Sequence, residues 1–386
     1  MRKGIFSTIV MLIALTSCFG QKKLPLIPYE FAGSKGFVNS NLERVTMPVY
    51  SAQDRGNHGN PYVKYAAVAL KELGDLKLWY LVLYDGREIK ISDDSGFVGE
   101  DYYYSNYEKE REYAEIKSLW NLKDTYTIKD VRIQPSPSSD WIIARDAKGA
   151  GDRIINLHGD VRWSSDDRHE ISDICEQDNL VFIKPNRYSE RMIDGSGKYI
   201  NNSEWSHTSR FSEGLFAGGK RVHSEKYPDY FFVTGDYGFY NRNGVRIIPV
   251  ADYTDDYIYC AFCCGVAPCI FENGSRSLYT GVGKDSDRWA LIDKTGTPVV
   301  TNISAFEIGV FCDEGSAILT MKTSEGKKQR LIDTKGKDLN PYVYDWIKKS
   351  VNGYYRARRN NMDYLVSATD GKEYACIDFI KSSPVK

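Results

Sequence analysis

The residues best suited to chemistry gather in one run, Cys260-Ala-Phe-Cys263-Cys264-Gly-Val-Ala-Pro-Cys269, with Cys175, Cys312 and Cys376 elsewhere and Cys18 near the start. Thiols this close in sequence suit zinc ligation, disulfide exchange or nucleophilic attack. A zinc ribbon needs two separated Cys-x-x-Cys pairs, and no second pair exists. His58, His158, His169, His207 and His223 show neither an i, i+4 pair nor His-Glu-x-x-His spacing. No Gly-x-Ser-x-Gly elbow occurs. Gly195-Ser-Gly-Lys198 lacks the full length of a phosphate loop. Asp166-Asp167 and Asp255-Asp256 could work as acid and base or hold calcium, although adjacent loop acids are usually just solvated. A glycosidase pair is defined in space, so spacing alone does not decide it. The sequence therefore assigns no catalytic, cofactor-binding or metal-ligating residue, and no cofactor.

The elements that must carry these residues are short and β-like. Trp289-Ala-Leu-Ile-Asp-Lys-Thr-Gly-Thr-Pro-Val-Val300 reads as strand, tight turn, strand. Gly296 supplies the positive φ that such a hairpin turn needs. The same pattern recurs at Tyr237–Pro249, Arg330–Gly336, Tyr364–Gly371, Arg191–Ile200 and Ile154–Trp163, and in an early divergent copy around Asp85-Gly86. The turn glycines fall at 159, 197, 244, 296, 336 and 371, so the spacing slips while the centre stays fixed. Insertions must then sit in loops, as repeat arrays allow. A lone hairpin is marginal in water, and copies in a row share one continuous core. The 28 tyrosines suit half-buried sheet faces first and stacking surfaces second.

A second recurring element precedes the hairpin: Phe211-Ser-Glu-Gly214-Leu-Phe-Ala217, Phe262-Cys-Cys-Gly265-Val-Ala267, and Phe311-Cys-Asp-Glu-Gly315-Ser-Ala317 with one residue more. With the Asp-x-x-Gly turn after it, and Asp252-Tyr253 and Tyr344-Asp345 further on, this order resembles the WG-repeat family. The best copies span 211–253, 262–306 and 311–345, and the likeness covers about 141–380. The family's Trp-Gly pair stands here as Tyr237-Gly238, Trp289-Ala290 and Gln329-Arg330. The resemblance implies an all-β chain of tandem antiparallel hairpins and carries no catalytic residue. Two closures fit: an open solenoid-like array, toward which the reading leans, and a β-propeller-like ring. Cys263 and Cys312 occupy equivalent repeat positions, so neighbouring copies would bring Cys312 close to Cys263 or Cys264, within reach of a disulfide.

Elsewhere the pattern changes. Residues 62–73 could be helical by their Ala and Lys content. Ser105 and Glu108 have capping-box spacing, and Tyr113, Ile116 and Trp120 recur at helical intervals, predicting one inserted helix over 105–121. Pro135-Ser-Pro-Ser-Ser139 marks an internal boundary. Residues 29–60 read as an irregular lead-in. The expected division is 1–17, 18–60, 61–134 with the helix, and 141–386 as the repeat array.

At the start, the basic Met1-Arg-Lys, the apolar Ile5–Leu15 and Leu15-Thr-Ser-Cys18 resemble a bacterial lipoprotein signal with its lipobox. The resemblance implies removal of 1–17, a diacylglyceryl thioether on Cys18 and acylation of the new amine, because several chains anchor where one does not. A net charge of −1 offers no footprint for nucleic acid. The expected function is a membrane-anchored, non-enzymatic binding or scaffold module of the bacterial cell envelope, at the outer membrane with the leaflet open. Its partner would be an envelope protein or a glycan. The alternative is a carbohydrate-binding or glycan-processing envelope protein.

Overall fold

In the computed structural model the described residues are 24–51, most of 62–93, strands between 131 and 175, and 179–382 with breaks. Seven sheets are present among them. The seven-stranded one is two units joined edge to edge by the pair Glu190↔Trp205, so eight units follow in chain order. They span 26–51, 62–93, 131–164, 170–194, 204–249, 252–304, 307–333 and 346–375, and are called here the first to the eighth sheet. All strand pairs are antiparallel except Asp252–Tyr253 with Ser277–Leu278. The described helix, α1 (Cys376–Lys381), follows the last strand. The expected all-β architecture of tandem hairpins is thus present.

Three readings are corrected. Residues 29–51 are no irregular lead-in: Ser34–Asn39 pairs with Leu26–Phe31 on one side and Tyr50–Ser51 on the other to build the first sheet, and 52–60 lie outside the described residues. The 62–73 segment is not helical either, because Ala66–Leu73 pairs along its whole length with Leu76–Leu83. Its alternate residues Ala67 and Ala69 are buried against the first sheet, and that packing overrides alanine's helix propensity. The boundary at 135–139 falls inside a sheet, since Val131–Pro135 pairs with Ile142–Asp146. The helix expected over 105–121 and the turn at Gly159 lie outside the described residues.

The hairpins form for the reason their sequences suggest. Asp194, Asn241, Asp293 and Asp333 each open a turn in the same way. In each, the side-chain Oδ1 accepts the backbone N–H two and four residues later, at 2.8–3.1 Å. The amide of the turn glycine three residues on donates back to the Asp or Asn carbonyl. Gly197, Gly244, Gly296 and Gly336 take φ between 71° and 85°, which glycine adopts without a Cβ penalty.

From the fourth sheet to the eighth, each sheet buries apolar side chains against the next. Phe182 and Met192 of the fourth sheet meet Trp205, Phe211 and Phe216 of the fifth unit. Phe239 and Ile248 of the fifth meet Phe262 and Ala290 of the sixth. Trp289 and Leu291 meet Phe311, Ala317 and Ile332 of the seventh, and Leu331 meets Tyr355 and Val366 of the eighth. The repeat phenylalanines Phe211, Phe262 and Phe311 are each at most 3% exposed and fill the space toward the preceding sheet. Burial of each contributes about 1.5–3 kcal/mol.

The other face of the eighth sheet turns to the first. Ile27, Tyr29 and Val38 pack on Leu365 and on Cys376 and Phe379 of α1. The first sheet packs in turn on the second through Leu26, Phe37, Tyr50, Ala67 and Val82. Of the two closures open from the sequence, contact between the first and last sheets belongs to the propeller-like ring.

Candidate functional site

The thiol run sits on a rim built from the two kinds of turn. Leu215 pairs with Asn241, Ser316 with Asp333, and Tyr354 with Ser367. Each Phe-x-x-Gly turn therefore lies beside the Asx-x-x-Gly turn, or its eighth-sheet counterpart at Gly371, of its own sheet. In the Phe-x-x-Gly turns, Glu213-Gly214 and Cys264-Gly265 both take positive φ (52° and 88°, 53° and 83°), and Asn352-Gly353 repeats this in the eighth sheet. The left-handed backbone costs a non-glycine residue about 1–2 kcal/mol.

Side chains from these turns reach forward to the next one. The Glu213 carboxylate accepts the Gly265 amide at 3.1 Å and lies 3.5 Å from Lys294 Nζ. Cys264 Sγ donates to the Asp313 carbonyl at 3.4 Å, and Cys263 Sγ to the Cys312 carbonyl at 3.2 Å. Asn352 Nδ2 donates to the Leu26 carbonyl at 2.6 Å, which carries the succession across the seam into the first sheet. The rim is thus a ladder of turns tied in sequence order.

The equivalent cysteines are therefore neighbours, as the repeat alignment predicts. Their sulfurs point along the array. Cys263 meets a carbonyl of the seventh sheet, while Cys312 Sγ lies 3.3 Å from Ser316 Oγ and 3.2 Å from Tyr355 OH of the eighth. Cys175, Cys260, Cys263, Cys264, Cys269, Cys312 and Cys376 are all free thiols in this structure. Cys264 is exposed; partial desolvation of its sulfur, with Glu213 among the neighbours, holds its pKa above the ordinary thiol value despite a hydrogen bond with Cys263. Cys260 is pushed up to about 12 by complete burial and by Cys269. Neither environment makes the thiolate a nucleophile is made of. Cys18, His58, His158, His169, His207 and both Asp pairs lie outside the described residues.

Sequence reasoning missed the polar seam between first and last sheets. The buried Glu30 carboxylate accepts from Arg356 at 2.8 Å and from Lys348. Arg44 Nη1 donates to the carbonyls of Phe379 and Ile380 at the end of α1, at 3.1 and 2.6 Å. Ala32 N donates to Asp363 Oδ2 at 3.3 Å, and burial holds the Asp363 carboxyl above its ordinary pKa despite Arg358. These partners are more than 300 residues apart, and no local spacing signals them. The tyrosines also serve packing: burial raises the hydroxyl pKa of Tyr29, Tyr50, Tyr344 and Tyr355.

No family model matches the chain, and no curated protein matches it. Among solved structures, one described as the eukaryotic initiation factor is similar at 9% identity and TM-score 0.42, covering 92% of this chain and 96% of the other. BamB from Moraxella catarrhalis is similar at 9% identity and TM-score 0.36, with 90% and 92% covered. AztD from Citrobacter koseri is similar at 10% identity and TM-score 0.35, with 91% and 93% covered. Likeness at this level assigns no activity.

Proposed function

We propose that this chain is a lipid-anchored binding or scaffold module of a bacterial cell envelope, held to the membrane through Cys18 and built from WG-type repeats. One observation carries the scaffold reading. Several polar side chains tie one sheet to the next: Glu213 to the sixth sheet's turn, Ser316 to Tyr355 and Ala368, Glu30 to Lys348 and Arg356. Such ties stabilise a rigid body whose surface is free for a partner. The tyrosine burial supports packing over a glycan platform. The anchor reading is supported by the apolar run ending in Leu15-Thr-Ser-Cys18. The partner is an envelope protein.

Mass spectrometry of the mature protein tests the anchor: an acylated N-terminal Cys18 is expected, and an intact Met1 contradicts it. Cross-linking of the full-length protein in its own envelope tests the scaffold role. A protein captured in stoichiometric amount supports it; hydrolysis of an envelope glycan by the purified protein refutes it.

A further inference from the structure

The first strand begins on the rim of turns. Leu26 accepts the side chain of Asn352 there, beside the ladder that runs through residues 213, 264 and 313. Cys18 precedes Leu26 by eight residues, a reach of about 28 Å at most. A tether so short holds this rim close to whatever anchors Cys18.

The same rim also carries four exposed apolar side chains, while Met362, 52% exposed, stands on the opposite one beside Asn361. Tyr199, Val245, Ile247 and Val299 are 40%, 54%, 42% and 51% exposed, and each lies within three residues of a turn glycine. They are half of the large hydrophobic side chains exposed among the described residues. The exposed cations Lys198, Arg242 and Lys294 stand beside them. Apolar side chains interleaved with Lys and Arg suit the boundary between headgroups and acyl chains. Acids of the turns, such as Asp293 and Glu213, offset these charges, so contact would rest on apolar insertion more than on anionic lipid. We infer that the turn-bearing rim lies against the lipid bilayer through Tyr199, Val245, Ile247 and Val299, and that the opposite rim, marked by Ala32-Gly33 and Asn360-Asn361, faces away from it. This rests on the anchor reading and adds an orientation to it.

The test uses the full-length lipidated protein in phosphatidylethanolamine–phosphatidylglycerol vesicles that contain a headgroup-spin-labelled lipid. A fluorophore on the native exposed thiol of Cys264 reports the turn rim. A fluorophore at Asn361→Cys in a Cys264→Ser background reports the other. Quenching at least twofold greater at Cys264 is expected, and equal or reversed quenching overturns the orientation. Val245→Asp with Ile247→Asp and Val299→Asp, checked for folding by circular dichroism, should stay vesicle-bound but lose the difference. If the difference persists, apolar contact is refuted. Protection of Cys264 that appears only when other envelope proteins are added overturns the proposal in favour of a protein partner. Vesicle binding that survives Cys18→Ser unchanged refutes the anchor separately, because the quenching pattern is scored only on bound protein.

Discussion

The Asx-x-x-Gly turn is the smallest unit that explains the rest. One oxygen of Asp293 holds the amides of Thr295 and Thr297, and Asn241 does the same with an amide oxygen. The position therefore needs an acceptor, and a neutral one can serve. Asp293→Ala should cost about 1 kcal/mol in urea denaturation, and Asp293→Asn, which keeps the acceptor but not the charge, should cost less than that at pH 7. The pH dependence follows from the same bonds. Hydrogen bonds from Ser196 and Thr295 hold the Asp194 and Asp293 carboxyls below the ordinary 3.8. A folded-state pKa below the unfolded one contributes stability that is present above the unfolded value and lost as pH falls through the folded one. Stability should therefore drop below about pH 4, and Asp293→Asn should make that drop shallower. Gly371 adds a second demand. Its φ is +70°, and a Cβ there would meet the Leu339 carbonyl oxygen at 2.8 Å, whereas a Cβ on Gly214, with φ +88°, would meet nothing. Gly371→Ala should thus lower the denaturation midpoint clearly more than Gly214→Ala, which carries only the left-handed penalty of about 1–2 kcal/mol.

At the scale of the elements, the fifth to eighth sheets and the first are each packed by the one on either side. The eighth sheet shows the alternation most plainly. Tyr355, Ala357 and Val366 face the seventh sheet, while Leu365 faces the first. Arg356, on that second face, meets Glu30 across the seam, with both side chains under 10% exposed. Glu30→Ala leaves a buried guanidinium without its carboxylate and should cost about 3–5 kcal/mol, whereas Glu30→Met with Arg356→Met should recover most of the loss. A double-mutant cycle on denaturation midpoints separates the two outcomes. The hairpins from 191 onward were legible because turn chemistry and a two-residue period coincide there. The first sheet was not. Leu26-Ile-Pro-Tyr-Glu-Phe31 contains a proline and no alternation, since Leu26 and Ile27 are both buried, one against the second sheet and one against the eighth. A strand covered on both faces loses the polar–apolar signature that reveals it. The thiol neighbourhood was legible from repeat equivalence, but the direction of the sulfurs was not, because side-chain orientation is set by sheet stacking.

At the scale of the whole molecule, the described contacts from the fourth sheet to the eighth follow the order of the chain, and the last sheet returns to the first, which packs on the second. Closure removes the two exposed terminal faces that an open array would leave to capping. It also fixes where the chain enters, at the rim of turns beside Leu26, and so links the fold to the side from which a Cys18 anchor would pull. The most direct measurement is a spin-label distance between Ala32→Cys and Asn361→Cys in a Cys264→Ser background, taken on the full-length protein. Ala32 donates to Asp363 in the eighth sheet, so a separation under about 20 Å is expected, two sheet spacings of about 10 Å. An open array would set the first and eighth sheets seven spacings apart, and a distance near 70 Å would contradict the closed arrangement.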